Sequence, residues 1–532
     1  MIRLLAGCLA VVALPAVATV EPPVSKLTVI HQFTTDEGYS PNHLIEDTAG
    51  VFFGINSFAG AKGGGTAYRV TSSGEFRILH AFDGGSTSLE GFTPLGSLVR
   101  APDGFLYGTT SAGGEVGGNP GGQGTIYRLT DEGQIDFLHT FTGLDGSWPF
   151  GGLMLAADGH LYGTTSLGGS TGGGTVFRWN ADNTLTSVYS FPADGSQGSS
   201  VAAPLVQDAN GTLYGSTTSG GFGVIPDGGG GTIFQLTLNG SLTSLHYFPT
   251  FSGVSPLTLG PDGVIYATEN TGLGSVFHLT NTGRYLTLFQ FPCYCGVVAG
   301  TGPSGPLTLA SDGYLYGTTG GGGAYGYGTI YKMTLDGDLT TVYSFNNDGP
   351  NAPVAGLVEG RDGRFYGVTG KSGDSQYGVV FKLAFLPRAP TDVAATAANG
   401  AVHLSWTASK TTDSYQVFVG MKAGGEAASA VVTGVTDTQV DVTGLTGGTQ
   451  YFFTVAAVNE AGTGAPSTEV NATPTGSSTP PVTTPPVTTP PAGSSPPPAA
   501  TNSGGGGGGS IDLSIIFVLL ALTLSRRLLS FR

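Results

Sequence analysis

The amino-acid sequence predicts an all-β protein. The expected architecture is a seven-bladed β-propeller over residues 24–385, closed by an N-terminal strand and followed by a β-sandwich over 387–474. Beyond it come a Pro/Thr/Gly-rich linker over 475–510 and a C-terminal apolar segment over 511–532. Three observations carry this expectation: a phrase repeated seven times, four strand-like runs inside each repeat, and a lone strand before the first repeat that the last repeat lacks.

The phrase is Asp-Gly or Asn-Gly, an aromatic three residues after the Gly, then Gly and small hydroxyls. It reads Asp103-Gly104-Phe-Leu-Tyr107-Gly108-Thr-Thr, and recurs at Asp158, Asn210, Asp262, Asp312 and Asp362, with a degenerate copy at Ala49-Gly50. Its aromatics, Phe53, Tyr107, Tyr162, Tyr214, Tyr266, Tyr316 and Tyr366, lie 50 to 55 residues apart, the period of a small sheet. In the second copy the strand-like runs are Ser97–Arg100, Phe105–Thr110, Gly124–Leu129 and Gln134–Phe141. Asp-Gly marks a tight hairpin turn between the first two. Sheets too small to bury their own faces, repeated seven times, specify a propeller. The last repeat stops after Val379–Leu383, and Leu27–Phe33 ahead of the first repeat has the pattern of the missing strand.

Composition bounds the function. Gly is 91 of 532 residues, placed at fixed points of the repeat, so it marks turns. Without the two terminal segments the body carries 16 Lys and Arg against 35 Asp and Glu, which repels phosphate backbones and argues against a nucleic-acid partner. The N-terminus reads as a signal peptide over 1–18: Arg3, an apolar run from Leu4 to Leu14, and Ala16-Val17-Ala18 as the cleavage site. Leu5-Ala6-Gly7-Cys8 spells a lipoprotein box, but most of the apolar run follows Cys8, so cleavage after Ala18 is the expectation. The remaining Cys293 and Cys295 are expected to form a local disulfide or stay as two idle thiols.

The body from Pro387 onward, with His403-Leu-Ser-Trp406, Tyr415-Gln-Val-Phe-Val419 and Tyr451-Phe-Phe-Thr-Val, resembles a fibronectin type III domain. The resemblance makes Trp406 the core tryptophan and Tyr451 the corner tyrosine. Gly504–Gly509, the apolar run Leu513–Leu524 and Arg526-Arg527 resemble the GlyGly-CTERM class of bacterial sorting tails. That implies a transmembrane segment cut by a rhomboid-type protease; a plain membrane anchor is the alternative. The repeat itself resembles the GloVer tandem repeat of exported bacterial proteins, which carries no assigned reaction.

No catalytic motif emerges. His31, His80, His139 and His246 share one repeat position on the outermost strand, where they cannot converge on a metal, and the Asp of each Asp-Gly is expected to serve its turn. No cofactor is implied. Strand order puts the long loops between second and third strands, and those between blades, on one face. There Asp145, Trp148, Phe150, Phe222, Asp227, Tyr294, Tyr325 and Tyr327 offer aromatics beside acids and amides, a surface suited to sugars or peptides, unless they only pack the loops together. The expected role is a surface-displayed or released binding protein for extracellular polysaccharide or protein. A polysaccharide-active hydrolase or lyase and a structural envelope protein are the alternatives.

Overall fold

The computed structural model describes residues 25–476, except 86–87, 117–118, 222–228, 250–252, 293–298, 374 and 376. The expected signal peptide, the Cys293–Cys295 pair, the stalk and the C-terminal segment therefore lie outside the described residues. Within them the chain is all-β and propeller-like, with no α-helix and one 3-10 turn at Thr35–Glu37.

Seven antiparallel sheets follow one another from residue 25 to residue 385. The second shows the plan: an inner strand in two pieces, Gly91–Pro94 and Val99–Arg100, then Leu106–Gly113, Thr125–Leu129 and an outer strand Ile135–Thr140. The inner strand thus differs from the single Ser97–Arg100 run expected. Residues 95–98 separate the pieces, and within the first piece Thr93 is left-handed, at φ 56°, between the paired residues Phe92 and Pro94. Ser40, Trp148, Ser200 and Ala352 repeat that left-handed turn in four other sheets. For a non-glycine residue it is uncommon backbone, and its use is visible in the hydrogen bonds. The Trp148, Ser200 and Ala352 amides donate to Gln123, Gly173 and Tyr327, each in the preceding sheet.

The repeated phrase resolves into contacts. Asp103 Oδ1 accepts the Phe105 amide, and Oδ2 accepts the Tyr107 hydroxyl at 2.7 Å. Asp158, Asp312 and Asp362 repeat both bonds, to Tyr162, Tyr316 and Tyr366. Where the sequence has Asn210-Gly211, the carboxylate comes instead from Asp208, which reaches Tyr214 at 3.1 Å. Gly108 is required because an added Cβ would lie 2.4 Å from the Tyr127 hydroxyl of the third strand. Thr109 donates to Pro149 of the next sheet, while Thr110 bonds Thr125 within its own. The motif is therefore turn, core and inter-sheet tie at once.

Each third–fourth strand pair shifts register at the third-strand aromatic, for example between Ile126 and Tyr127, and the pairs of the first and third sheets shift a second time, at Gly63/Thr66 and Gly172/Thr175. At the aromatic the extra residue is aliphatic, and its carbonyl abuts a turn glycine of the following sheet: Gly133 sits over Leu79 O, Gly283 over Leu245 O, and Gly337 over Leu288 O. At Gly133, φ is +90° and a Cβ would come within 2.2 Å of that carbonyl.

The lone N-terminal strand, Ser25–Gln32, pairs with Val379–Phe385 as the outer strand of the seventh sheet. It shifts register at the same place, between Val29 and His31, and Gly74 of the first sheet covers its Ile30 carbonyl. On the hairpin face Glu46 Oε2 accepts the Arg361 amide at 2.8 Å, as Glu359 accepts Ser311 between the sixth and seventh sheets. The first and seventh sheets thus touch through the same contacts as sequential neighbours.

After Arg388 the chain forms two further sheets, Thr391–Ala398, Ala401–Thr407 and Gln439–Thr443 against Ser414–Gly420, Val432–Val435, Tyr451–Asn459 and Gly462–Pro466, with Val470–Ala472 added to the second. They share one core, in which Trp406 meets Tyr415 edge-on at 5.1 Å. The Tyr451 hydroxyl accepts the Thr446 amide. This sandwich docks on the hairpin face of the seventh sheet through Arg364, which is 8% exposed. Its guanidinium grips Glu460 through Nε and Nη2 and reaches Asp413 at 2.6 Å; Lys382 adds a bond to Glu460 at 2.9 Å. Asn459 donates to the Phe385 carbonyl beside the junction.

Candidate functional site

Two surfaces of the tandem sheets are candidates, the loop face and a channel-like pocket lined by their first strands. On the loop face, Trp148 is 48% exposed and its ring stands perpendicular to Phe150, 6.2 Å away. Its left-handed backbone and the bond to Gln123 hold the indole at the rim. Leu144 and Leu167 are exposed beside it, and Ser147 and Leu167 exchange backbone hydrogen bonds, so the two loops form one platform.

Asp145 is not a free acid on that platform. Its Oδ2 pairs with His139 Nε2 at 2.7 Å, and Oδ1 accepts both the Thr142 amide and hydroxyl. Burial pushes its carboxyl up, but these donors outweigh burial and hold it below the usual range. The same device recurs at His31 with Glu37 and His80 with Glu90, while His246 stacks on Tyr285. For His31 and His80, burial outweighs the neighbouring carboxylate and keeps the imidazole below its ordinary pKa. Among the described residues no three His, Cys, Asp or Glu side chains come together as a metal set.

Tyr325, 63% exposed, and Tyr327 stand on the long loop of the sixth sheet, where the Tyr327 carbonyl ties back to Ala352. Phe222, Asp227 and Tyr294 lie outside the described residues. Of the sequence-predicted set, then, Trp148 and Phe150 come together, Asp145 is turned to His139 and Thr142, and the two tyrosines form a separate exposed group.

The channel was not anticipated. It is an open pocket of about 640 Å³, lined by residues of all seven sheets. Its wall is mostly apolar, with Leu95, Phe150, Pro256 and Val354 among the lining residues. Thr258 and Thr308 hydroxyls are spent on carbonyls of the next sheet, Leu307 and Leu357, at 2.6 Å each. Glu359 is committed to the Ser311 amide and hydroxyl. The residue preceding each inner-strand leucine points out one exception. Ser97, Gly152, Pro204, Pro256, Pro306 and Gly356 are small or cyclic, but the first sheet places His43 there. The His43 amide bonds Asn42 Oδ1, yet its ring Nδ1 is buried without a partner. Burial drives its pKa down to about 4, so the imidazole is neutral. The signal was in the sequence: aligned by Leu44, His43 is the sole titratable residue at its position.

Comparisons with known proteins add the following. Among curated proteins no match is found. Of solved structures, the periplasmic gluconolactonase of Pseudomonas aeruginosa is 18% identical, covering 63% of this chain and 99% of that one, with a TM-score of 0.40. A putative 6-phosphogluconolactonase from Bacteroides uniformis is 15% identical over 74% of this chain and 99% of its own, with a TM-score of 0.41. An Fn3-like protein from Clostridium thermocellum is 29% identical over 16% of this chain and 90% of its own, with a TM-score of 0.15. The model of the Gloeobacter/Verrucomicrobia repeat matches residues 115–292 and 258–440, more than half of the sequence, from within the second sheet through the seventh and on into the sandwich. The chain belongs to the Gloeobacter/Verrucomicrobia repeat family.

Proposed function

We propose that this protein is an exported binding protein, displayed at the cell surface or released from it, whose seven sheets form a ring closed by Ser25–Gln32. The register shift at Val29/His31 and the Gly74–Ile30 and Glu46–Arg361 contacts support closure. The core positions of Trp406 and Tyr451 support reading the sandwich as a fibronectin type III domain. Export and tail cleavage rest on the sequence pattern of residues 1–18 and 504–532, which lie outside the described residues; among the described residues no helix is long and apolar enough to cross a membrane.

The observation that carries the reading is where the sandwich docks. Arg364 fastens it to the hairpin face, and the opposite face, with Trp148, Tyr325 and Tyr327, stays open. Exposed flat aromatics suit the faces of sugar rings or the side chains of an extended peptide. The acids of that face serve the scaffold: Asp145, Glu37 and Glu90 each hold a histidine.

A glycan array probed with the purified protein tests this. Retention of a polysaccharide class, lost in Trp148→Ala, is the expected result. Product release from any glycan would replace the binder by a hydrolase or lyase. Neither retention nor product, on glycans or on peptides, would leave the envelope-scaffold reading.

A further inference from the structure

From the unpartnered His43 Nδ1 in the lined channel, we infer a second binding site on the ring axis, for one small uncharged amphipathic molecule carrying a hydroxyl or amide.

The volume lies within the range of ligand pockets, ~300–1,000 Å³, and the lining has their usual composition, an apolar wall with a few polar groups. The polar groups sort cleanly. Thr258, Thr308 and Glu359 are already used by neighbouring sheets. The His43 ring and the Ser97 hydroxyl are left uncommitted, and only His43 carries a buried polar atom without a partner, Nδ1, which costs stability that an apolar residue would not. Six counterparts show that the repeat accepts Ser, Gly or Pro at this point, so the fold itself does not call for an imidazole.

A neutral imidazole offers one donor and one acceptor, the match for a hydroxyl or amide. Charge is disfavoured on both signs. The body is acidic, and the channel holds no uncommitted carboxylate to receive a cation, so an ion would be desolvated without a partner. Leu95, Phe150 and Val354 would cover the apolar part of the molecule. This site is independent of the loop-face reading.

The test uses the full chain labelled with ¹⁵N-histidine, with benzamide and cyclohexanol as probes and the His43 ring resonances assigned by their loss in His43→Gln. At least one probe is expected to shift those resonances saturably, with a Kd at or below ~1 mM. Thermal-shift titration should show His43→Leu binding that probe at least ~10-fold more weakly, with an unchanged or higher melting temperature in the absence of probe. His43→Gln, which keeps a donor and an acceptor, should stay within ~3-fold. Ala202→Phe, which fills the channel from the fourth sheet, should abolish binding while glycan retention on the loop face is unchanged. A channel that holds only solvent gives no saturable response to either probe, and that overturns the inference. So does equal binding by wild type, His43→Leu and a folded Ala202→Phe. Should Ala202→Phe fail to fold, the contrast between His43→Leu and His43→Gln decides alone.

Discussion

Replacing Phe33 by Ala separates a closed ring from an open row of sheets. Phe33 follows directly on the N-terminal strand, is 2% exposed, and meets Tyr68 edge-on at 5.2 Å and Phe76 at 5.9 Å. Truncating such a ring costs about 4 kcal/mol. In a closed ring of roughly 360 residues that loss is shared. With ~2.1 cal/mol/K of unfolding entropy per residue, the ring carries ~0.75 kcal/mol/K, and one transition should move down by about 5 °C. In an open row, only the sheet that lost its edge would respond. It would leave as a separate early phase of small enthalpy, with the main transition unmoved. Phe141, the same repeat position in the second sheet and fully buried, is the internal reference. Differential scanning calorimetry of Phe33→Ala and Phe141→Ala should therefore give the same shift of one peak. An unmoved main peak in Phe33→Ala beside a shifted one in Phe141→Ala would refute closure.

Four further outcomes are expected. Bonds to Arg364 and Lys382 hold the Glu460 carboxyl at about 2, against an ordinary 4.5, although burial alone would raise it. A depressed carboxylate stabilises above its unfolded pKa, so this contribution is whole above pH ~4.5 and fades as pH falls toward ~2. Discounted for the solvent that still reaches the group, it amounts to about 1–2 kcal/mol, and Glu460→Gln should flatten the acid limb of a urea-denaturation series by that much. Gly133→Ala forces a Cβ against the Leu79 carbonyl at a left-handed φ; equilibrium unfolding should show a loss of about 2–4 kcal/mol, and a neutral result would contradict the close approach. Tyr127→Phe removes a buried hydroxyl without a partner where Phe177 and Phe234 stand in other sheets, and should raise stability by about 1 kcal/mol in the same assay. Trp148→Ala should leave the melting temperature within about 1 °C of wild type, because the indole is half exposed, while abolishing glycan retention.

The periodic residues made the scaffold readable, and the irregular ones carried what was missed. Asp103, Tyr107 and Gly108 recur at fixed spacing, and their contacts are local in sequence or one strand away, so a repeat of strands and a tight turn followed directly from them. Ser25–Gln32 was legible as an unpaired copy of a pattern ending in His-x-Phe. The register shifts were not, because an aliphatic at the shift, Leu79 or Leu138, looks like any strand residue until its partner strand is known. Trp148 and Phe150 stood out as aromatics between repeats, but Asp145 was read as exposed when a histidine six residues earlier already held it. His43 and Arg364 were overlooked for one reason. His43 precedes an inner-strand leucine where the other repeats carry Ser, Gly or Pro, Arg364 follows an Asp-Gly where none of the others carries Arg or Lys, and the meaning of each depends on what converges there from distant sequence. Phe222, Asp227 and Tyr294 lie outside the described residues, so for them the reading is still one of sequence alone.

The pairing of Ser25–Gln32 with Val379–Phe385 also orders events in time. The first strand to leave the ribosome finds its partner only after some 350 further residues have been made. Sheets two to six have all their strands at hand and can assemble as they emerge, each against the last. The N-terminal segment must wait through this, with its hydrogen-bonding edge unsatisfied, and so must the open flank of the first sheet. Completion of the seventh sheet is then the step that ends exposure to aggregation and proteolysis. The sandwich, beginning six residues after Phe385, is synthesised just as that clasp becomes able to shut.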